Sequence, residues 1–277
     1  MLARAAYGKS RIRLVEVLRG SDAHTLRDLT VAIRFEGDYD ESYTVGDNSA
    51  VLPTDTMKNT VYALAARHHV GEPETFGLIL ARHFLDRNPR LERVRVDLTD
   101  HRWAPAVTDG REHGQAFVRQ GPDARTSAVT IDRHTTMVEA GISDLVVLKS
   151  SHSAFSGFLR DELTTLPDTR DRLLATALTA TWRYASEDVP FGSRWHAVRS
   201  SLLDAFADHH SESVQHTLHA MGQAVLDRVD DVASVTLVMP NKHHLPVDLA
   251  RLGLENRNEI FVPTDEPHGL IEATIAR

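Results

Sequence analysis

The chain contains no cysteine, and that one absence removes disulfides, thiolate metal sites, iron–sulfur clusters and cysteine nucleophiles together. Any chemistry it performs must come from oxygen and nitrogen side chains. No run approaches the roughly 18 consecutive apolar residues of a membrane-spanning helix, and the opening heptapeptide, Met1 to Tyr7, lacks the apolar centre of a secretory signal. The last three residues, Ile275-Ala276-Arg277, do not spell the Ser-Lys-Leu peroxisomal address. These absences lead us to expect a cytoplasmic protein. Positive charge is also in short supply: 31 Lys and Arg stand against 39 Asp and Glu, a formal charge of -8. That balance argues against a nucleic-acid or membrane-surface partner.

What is present is an ordinary globular composition, and 277 residues suffice for one large or two medium domains. Ser10 to Leu18 reads as a strand, with Ile12 and Leu14 alternating with Arg11 and Arg13, and Leu29, Val31, Ile33 and Phe35 form a second alternating run. After Pro53 the spacing of Met57, Val61, Leu64 and Ala65 predicts a helix. Pro73 opens another, carrying Phe76, Ile79, Leu80 and Phe84. Val94, Val96 and Leu98 return the chain to strand. Polar stretches at Asp109 to Gly114 and Gln120 to Asp123 read as hairpin loops.

Strand patterns follow at Ala128 to Val138, Leu145 to Leu148 and Ala175 to Tyr184, and then two helical faces, Trp195-Val198-Leu202-Phe206 and Val214-Leu218-Met221-Val225. Strands resume at Val235 to Met239, near Glu259 to Val262, and at Leu270 to Ile275. The element order therefore repeats. We expect an α+β protein of two β-β-α-α-β-β units, residues 1–125 and 126–277, with an antiparallel sheet and its helices on one face. A sheet of about eight strands has open edges and an uncovered face, so that face is solvated or the sheet continues into neighbouring subunits, where closure into a barrel removes the edges; an oligomer is expected.

The stretch Val235 to Asp248 concentrates functional side chains. Proline cannot donate to a strand ladder, so the strand is expected to stop at Pro240 and to deliver Asn241-Lys242-His243-His244 at its tip. An amide, an ammonium and two imidazoles offer donors, acceptors and a group titrating near neutrality; a solvated turn is the plain alternative. Sixteen histidines, with pairs at His68-His69, His209-His210 and His243-His244, invite a metal. Adjacent strand residues point to opposite faces, however, and no H-E-x-x-H spacing occurs, so no metal site is expected. His209 and His210 are expected at a helix C-terminus, where imidazolium is favoured.

Several separated motifs, Tyr7-Gly8-Lys9, Leu52-Pro53-Thr54-Asp55-Thr56-Met57-Lys58-Asn59-Thr60, Val214-Gln215 and Pro240-Asn241-Lys242-His243-His244, closely resemble those of the urate oxidase (uricase) family. The resemblance continues through Lys149-Ser150-Ser151, Phe155-Ser156-Gly157-Phe158, Thr164-Thr165-Leu166 and Asp171-Arg172-Leu173-Leu174, in the family's order and over nearly the whole chain. It implies the tunnelling fold, with two β-β-α-α-β-β units per chain forming an oligomeric barrel of a homotetramer. It also implies oxidation of urate by O2 and water to 5-hydroxyisourate and hydrogen peroxide, with no metal or organic cofactor.

Residue by residue, the resemblance implies that Arg172 clamps urate oxygens through its planar fork, Gln215 binds the opposite edge and Phe155 stacks on the ring. Val214 would offer a backbone N–H and Leu166 an apolar wall. Thr54 and Asp55, at a helix start where N–H groups favour anions, would come from a neighbouring subunit. Lys9, a lysine brought toward neutrality by burial, would take the proton of Thr54, which in turn deprotonates substrate or water. His243 would complete the relay, and Asn241 with Thr54 would hold O2 or water above the ring. Taken singly, Arg172 could cap a surface strand, Gln215 could be a polar helix residue, Phe155 could be core, and Thr54 and Asp55 could be a simple helix cap.

Two other readings remain on sequence grounds. A purine- or pterin-binding oligomeric module would keep Arg172, Gln215 and Phe155 but has no use for Lys9, Thr54, Asn241 and His243, all of which are present. A pterin-forming enzyme of the same fold uses a metal or a cysteine, and the chain has no cysteine.

Overall fold

The computed structural model describes residues 2–277; Met1, the first residue of the opening heptapeptide, lies outside the described residues. By contact the chain divides into two compact units. One ends at Gly141 and is completed by Arg183–Arg194; the other comprises Ile142–Trp182 and Trp195–Arg277.

In the first unit, strands β1 (Tyr7–Arg19) and β2 (His24–Gly37) are followed by a short helix α1 (Asp40–Thr44) and by helices α2 (Thr54–His68) and α3 (Pro73–Arg87). Strands β3 (Leu91–Asp100), β4 (Trp103–Thr108), β5 (Arg111–Arg119) and β6 (Ala124–Asp132) complete the set. The pairs β1–β2, β2–β3 and β3–β6 are all antiparallel. Leu29, Val31, Ile33 and Phe35 of β2 are buried, as are Val94, Val96 and Leu98 of β3, because period-two alternation sends them all to one face. That face is covered by α2, through Met57, Val61 and Leu64, and by α3, through Phe76, Leu80 and Phe84. Each such side chain contributes about 1.5–3 kcal/mol on burial, and cutting Phe84 to alanine would cost about 3–5 kcal/mol. Pro73 starts α3 at a position where its missing N–H costs nothing.

The polar middle of the chain holds more strand than its composition suggests. Asp109 and Gly110 have φ of 51° and 75°, the paired left-handed turn that joins two strands tightly, so Arg111 onward is strand rather than loop. β4 and β5 form a separate two-stranded sheet. Neither face of this ribbon is buried, and hence no alternation marked it. The run Ala128 to Val138, expected as one strand, is broken at 133–135. There the Asp132 carboxylate accepts the N–H groups of His134 and Thr135 at 2.9 and 2.8 Å.

In the second unit the order is β7 (Thr136–Lys149), which enters it from residue 142, β8 (Leu174–Tyr184), α4 (Phe191–Asp208), α5 (Val214–Arg228), β9 (Val232–Pro246) and β10 (Phe261–Ala276). The strands are ordered β7-β8-β9-β10, and β9 pairs antiparallel with β10. Helix α5 lies on β9 and β10, burying Val214, Leu218, Met221 and Val225 against a strand row that includes Val235, Leu237 and Met239. Arg277 closes the far end of α5 by donating to the carbonyls of Leu226 and Val229, the latter at 3.1 Å. The segments near Glu259 and at Leu270 are not two strands. They are one long β10, interrupted where Asp265–His268 bulge out opposite Lys242.

Candidate active site

In the second unit, three chain segments knit into a small patch around residues 152–155. Ser211 N–H donates to the His152 carbonyl at 2.9 Å, and Ala154 N–H donates to the Ser211 carbonyl at 2.6 Å. On the other side Phe155 and Thr169 exchange N–H to carbonyl bonds of 2.8 and 2.9 Å, and Arg172 N–H donates to the Ser153 carbonyl at 2.8 Å. The Asp171 carboxylate accepts His152 N–H at 2.9 Å, tightening the same turn. Backbone pairing thus sets Phe155 and Arg172 beside the residues that lead into α5.

The Arg172 guanidinium carbon lies 5.5 Å from the Phe155 ring centre, and Phe158 stacks on Phe155 at 4.8 Å with planes 12° apart. Arg172 is half-buried, its Nε is shielded from solvent without a partner, and no carboxylate pairs with it among the described residues. Burial lowers its pKa, yet a guanidinium stays charged at any working pH. A shielded cation with free donors beside an aromatic ring is prepared for a planar anion.

Ser213 caps α5, its hydroxyl accepting His216 N–H at 3.1 Å. Val214 and Gln215 are therefore the first two helical residues, and their N–H groups have no acceptor within the helix. The Val214 side chain is buried and that of Gln215 is exposed, with no hydrogen-bond partner for the Gln215 amide among the described residues. Leu166 is 53% exposed on the loop between the paired residues Phe155 and Thr169, and its carbonyl accepts from Arg160 at 3.1 Å.

The strand expected to end at Pro240 does not. β9 runs on to Pro246, with Pro240 opposite Leu270 and Asn241 opposite Gly269, so the polar quartet lies inside a paired strand and not at its tip. The proline is tolerated because the ladder breaks just beyond it, at the bulge between Thr264 and Gly269. Continued pairing has a consequence for direction. Asn241 and His243 extend the core-facing row of Val235, Leu237 and Met239, whereas Lys242 and His244 point to the other face. Lys242 is held there by Asp265 at 2.7 Å. Helix α5, 15 residues long, spans roughly 22 Å, the length of about six or seven strand residues. It turns into β9 at Val232 and packs along β9 and β10.

The first unit carries Lys9, Thr54 and Asp55. Lys9 is half-buried in β1, opposite Ile33. Gly8 before it allows β1 to approach β2 closely, since a Cβ there would stand 1.9 Å from the Ile33 carbonyl oxygen. Pro53 occupies the cap position of α2 and no side chain caps the helix, so Thr54 and Asp55 are not a simple cap. The Asp55 carboxylate receives Lys58 Nζ at 2.5 Å and Asn59 Nδ2 at 3.0 Å. These contacts, Lys58 first, depress its pKa, and the Lys9 charge adds to the effect. Helix α2 packs on β1, the strand that carries Lys9. The Thr54 hydroxyl has no partner among the described residues.

His209 does follow a helix C-terminus, donating its N–H to the Ala205 carbonyl at 3.1 Å, but imidazolium is not favoured there. Burial lowers its pKa, and the neighbouring His216, Lys149 and His210 charges push the same way. Its ring meets His216 at 4.3 Å. The sequence reading also missed Ser213 and Asp171 as supports of the patch; a serine three residues before a backbone-bonded histidine is a capping signal that was there to be read.

Comparison with known proteins gives one answer. Residues 5–130 and 138–272 match the family model described as Uricase. The full chain is 41% identical to the uricase of Arthrobacter globiformis, covering 90% of that protein. It is 36% identical to the Aspergillus flavus uricase, with 99% of this chain and 96% of that one aligned. The crystal structure of the Arthrobacter globiformis uricase matches with a TM-score of 0.95 at 40% identity, covering 100% of this chain and 95% of the other. A uricase from Bacillus fastidious shares the fold at TM-score 0.84 and 23% identity, over 98% of this chain and 93% of the other.

Proposed function

Because the chain belongs to the uricase family, we propose that it oxidises urate with O2 and water, forming 5-hydroxyisourate and hydrogen peroxide without a metal or organic cofactor. The observation that carries this reading is Arg172: a half-buried guanidinium without a carboxylate partner, beside Phe155 and tied by backbone bonds to the approach of α5. Urate is a planar, electron-rich anion with amide edges, and such a ligand wants a cation, a stacking ring and in-plane donors together.

In this reading Arg172 and Gln215 hold opposite edges of urate, Phe155 stacks on it, Val214 donates its N–H and Leu166 walls the site. Lys9 takes a proton through Thr54 from the urate monoanion or from a water. The dianion passes electrons to O2, and the organic substrate is itself the reductant. Asn241 and Thr54 hold O2 or water, and His243 moves the proton on. Thr54, Asp55 and Lys9 are contributed by a neighbouring chain of a homotetramer, closing a barrel around a tunnel. Support for that division is that all three lie in the first unit and the urate-binding group in the second. A binding module without oxidation would not need Lys9, Thr54, Asn241 or His243.

The test is to strip the protein with chelator, add urate in aerated buffer, and follow urate absorbance and peroxide together. Equimolar urate loss and peroxide gain is the expected result. Activity that disappears with chelator and returns only with copper or iron would overturn the cofactor-free reading.

A further inference from the structure

Tyr7 stands two residues before Lys9 on β1, on the same face of the strand, and its ring packs edge-on against Phe35 at 5.6 Å and Tyr39 at 4.9 Å. Its phenol oxygen accepts the N–H of Leu52 at 3.0 Å. Leu52 is two residues before Thr54, and between them lies Pro53, with φ of −56° and ψ of 136°.

That short link is stiff. Proline fixes its own φ, and the residue before a proline is confined to extended conformations. An anchor on Leu52 N–H is therefore passed to Thr54 with few soft torsions between them. The anchor itself is rigid, because Tyr7 has only ring rotamers set by Phe35 and the buried Tyr39. Burial raises the Tyr7 pKa, while the Leu52 N–H and the Tyr39 hydroxyl pull it back; the phenol stays protonated at neutral pH and keeps a lone pair for Leu52. Between Tyr7 and Lys9, Gly8 lets β1 lie close on β2. Helix α2 packs on β1, so the strand that carries Lys9 and the helix that Thr54 opens are in direct contact.

We propose that Tyr7 is a positioning residue: through its hydrogen bond to Leu52 N–H it holds the entry of α2, and with it the Thr54 hydroxyl, in register with Lys9. It touches neither substrate nor the reacting atoms, and it acts through the distance between two groups that do. The proposal rests on the reading of Lys9 and Thr54 as the proton-removing pair.

The test is Tyr7→Phe, which keeps the ring packing and removes the acceptor, measured beside Lys9→Met and the double variant for turnover, urate saturation, pH profile and melting. Tyr7→Phe should lose about five- to tenfold in turnover, the scale of one net hydrogen bond, with urate saturation and melting nearly unchanged. The loss should shrink as pH rises, as it should for Lys9→Met. In the Lys9→Met background Tyr7→Phe should cost nothing further, since neighbours acting as one unit are not additive. Unchanged turnover in Tyr7→Phe, beside a crippled Lys9→Met, would overturn the Tyr7 assignment alone. Turnover, saturation and melting falling together would make Tyr7 ordinary packing and overturn it equally. Full turnover in Lys9→Met would remove the pair itself, and the role of Tyr7 with it.

Discussion

The main-chain N–H of Arg172 donates to the carbonyl of Ser153 at 2.8 Å, and through that bond Arg172 is fixed to the short segment that carries Phe155. Ala154 N–H donates to the Ser211 carbonyl and Ser211 N–H to the His152 carbonyl, which ties the same segment to the approach of α5. A cation, an aromatic ring and two helix-start N–H groups thus owe their spacing to backbone pairing and not to one another. Removal of any one side chain should leave the others in place, which makes single variants informative.

Arg172→Ala should therefore fold normally and raise the urate concentration needed for half-saturation. A charge-assisted contact is worth about 1.5–3 kcal/mol, or roughly ten- to hundredfold in affinity. Arg172→Lys should recover little, because an ammonium cannot present two parallel donors to one edge of a planar anion. Equilibrium binding of urate to the folded variants checks this; wild-type affinity in Arg172→Ala would show that urate sits elsewhere.

Lys9 and Thr54 share one unit, while Arg172 and Gln215 share the other. If sites form between chains, a Thr54→Ala chain and an Arg172→Ala chain are each inactive alone but complementary. Dissociating the two, mixing and reassembling should restore part of the turnover, since some interfaces then join two intact halves. Lys9→Met mixed with Arg172→Ala should behave alike, whereas Lys9→Met mixed with Thr54→Ala should restore nothing. No recovery in the first two mixtures would place the whole site within one chain.

The pH dependence of stability should pass through His209. Its folded pKa is lowered, by burial first and then by His216, Lys149 and His210, with Glu212 opposing. In the window below the unfolded value of about 6.5, the unfolded chain binds the proton more readily than the folded one. The contribution of neutral His209 is thus full above that value and is lost as pH falls toward the folded pKa. Melting measured at several pH values from neutral to mildly acidic should show a smaller acid-side loss in His209→Gln than in the parent; equal slopes would assign the acid sensitivity to other groups.

Much of this arrangement was readable in the sequence. Strong alternation placed β1, β2 and β3, helical spacing placed α2 to α5, and the repeated element order gave the fold class, because each of these elements buries one full face. The β4–β5 ribbon escaped since neither of its faces is buried. Pro240 misled for a different reason: a proline ends a strand only where its missing N–H breaks a bond that the ladder needs, and here the partner strand departs at the adjacent bulge. The motifs marked Phe155 and Arg172 but not the pairing that sets them side by side, because residues 152–155 meet Ser211 and Thr169 through backbone bonds that leave no mark on residue choice.

Base and scaffold roles of Lys9 can be separated by where the loss falls. If Lys9 acts through Thr54 to remove a proton, Lys9→Met should leave urate bound by Arg172 and Gln215 and slow turnover alone, so that kcat falls while saturation barely moves. General-base contributions are about 10²–10⁴-fold, far above the effect of a lost surface charge. The deficit should narrow as pH rises, because hydroxide and a more fully deprotonated substrate take over the missing step. A structural role predicts a different pattern. Lys9 lies at the register shift between β1 and β2, so a variant that disturbed the strand would lose saturation and melting temperature along with turnover, at every pH. Turnover, saturation and melting measured across the same pH range distinguish the two, and a well-folded Lys9→Met protein with undiminished turnover at neutral pH would take Lys9 out of the mechanism.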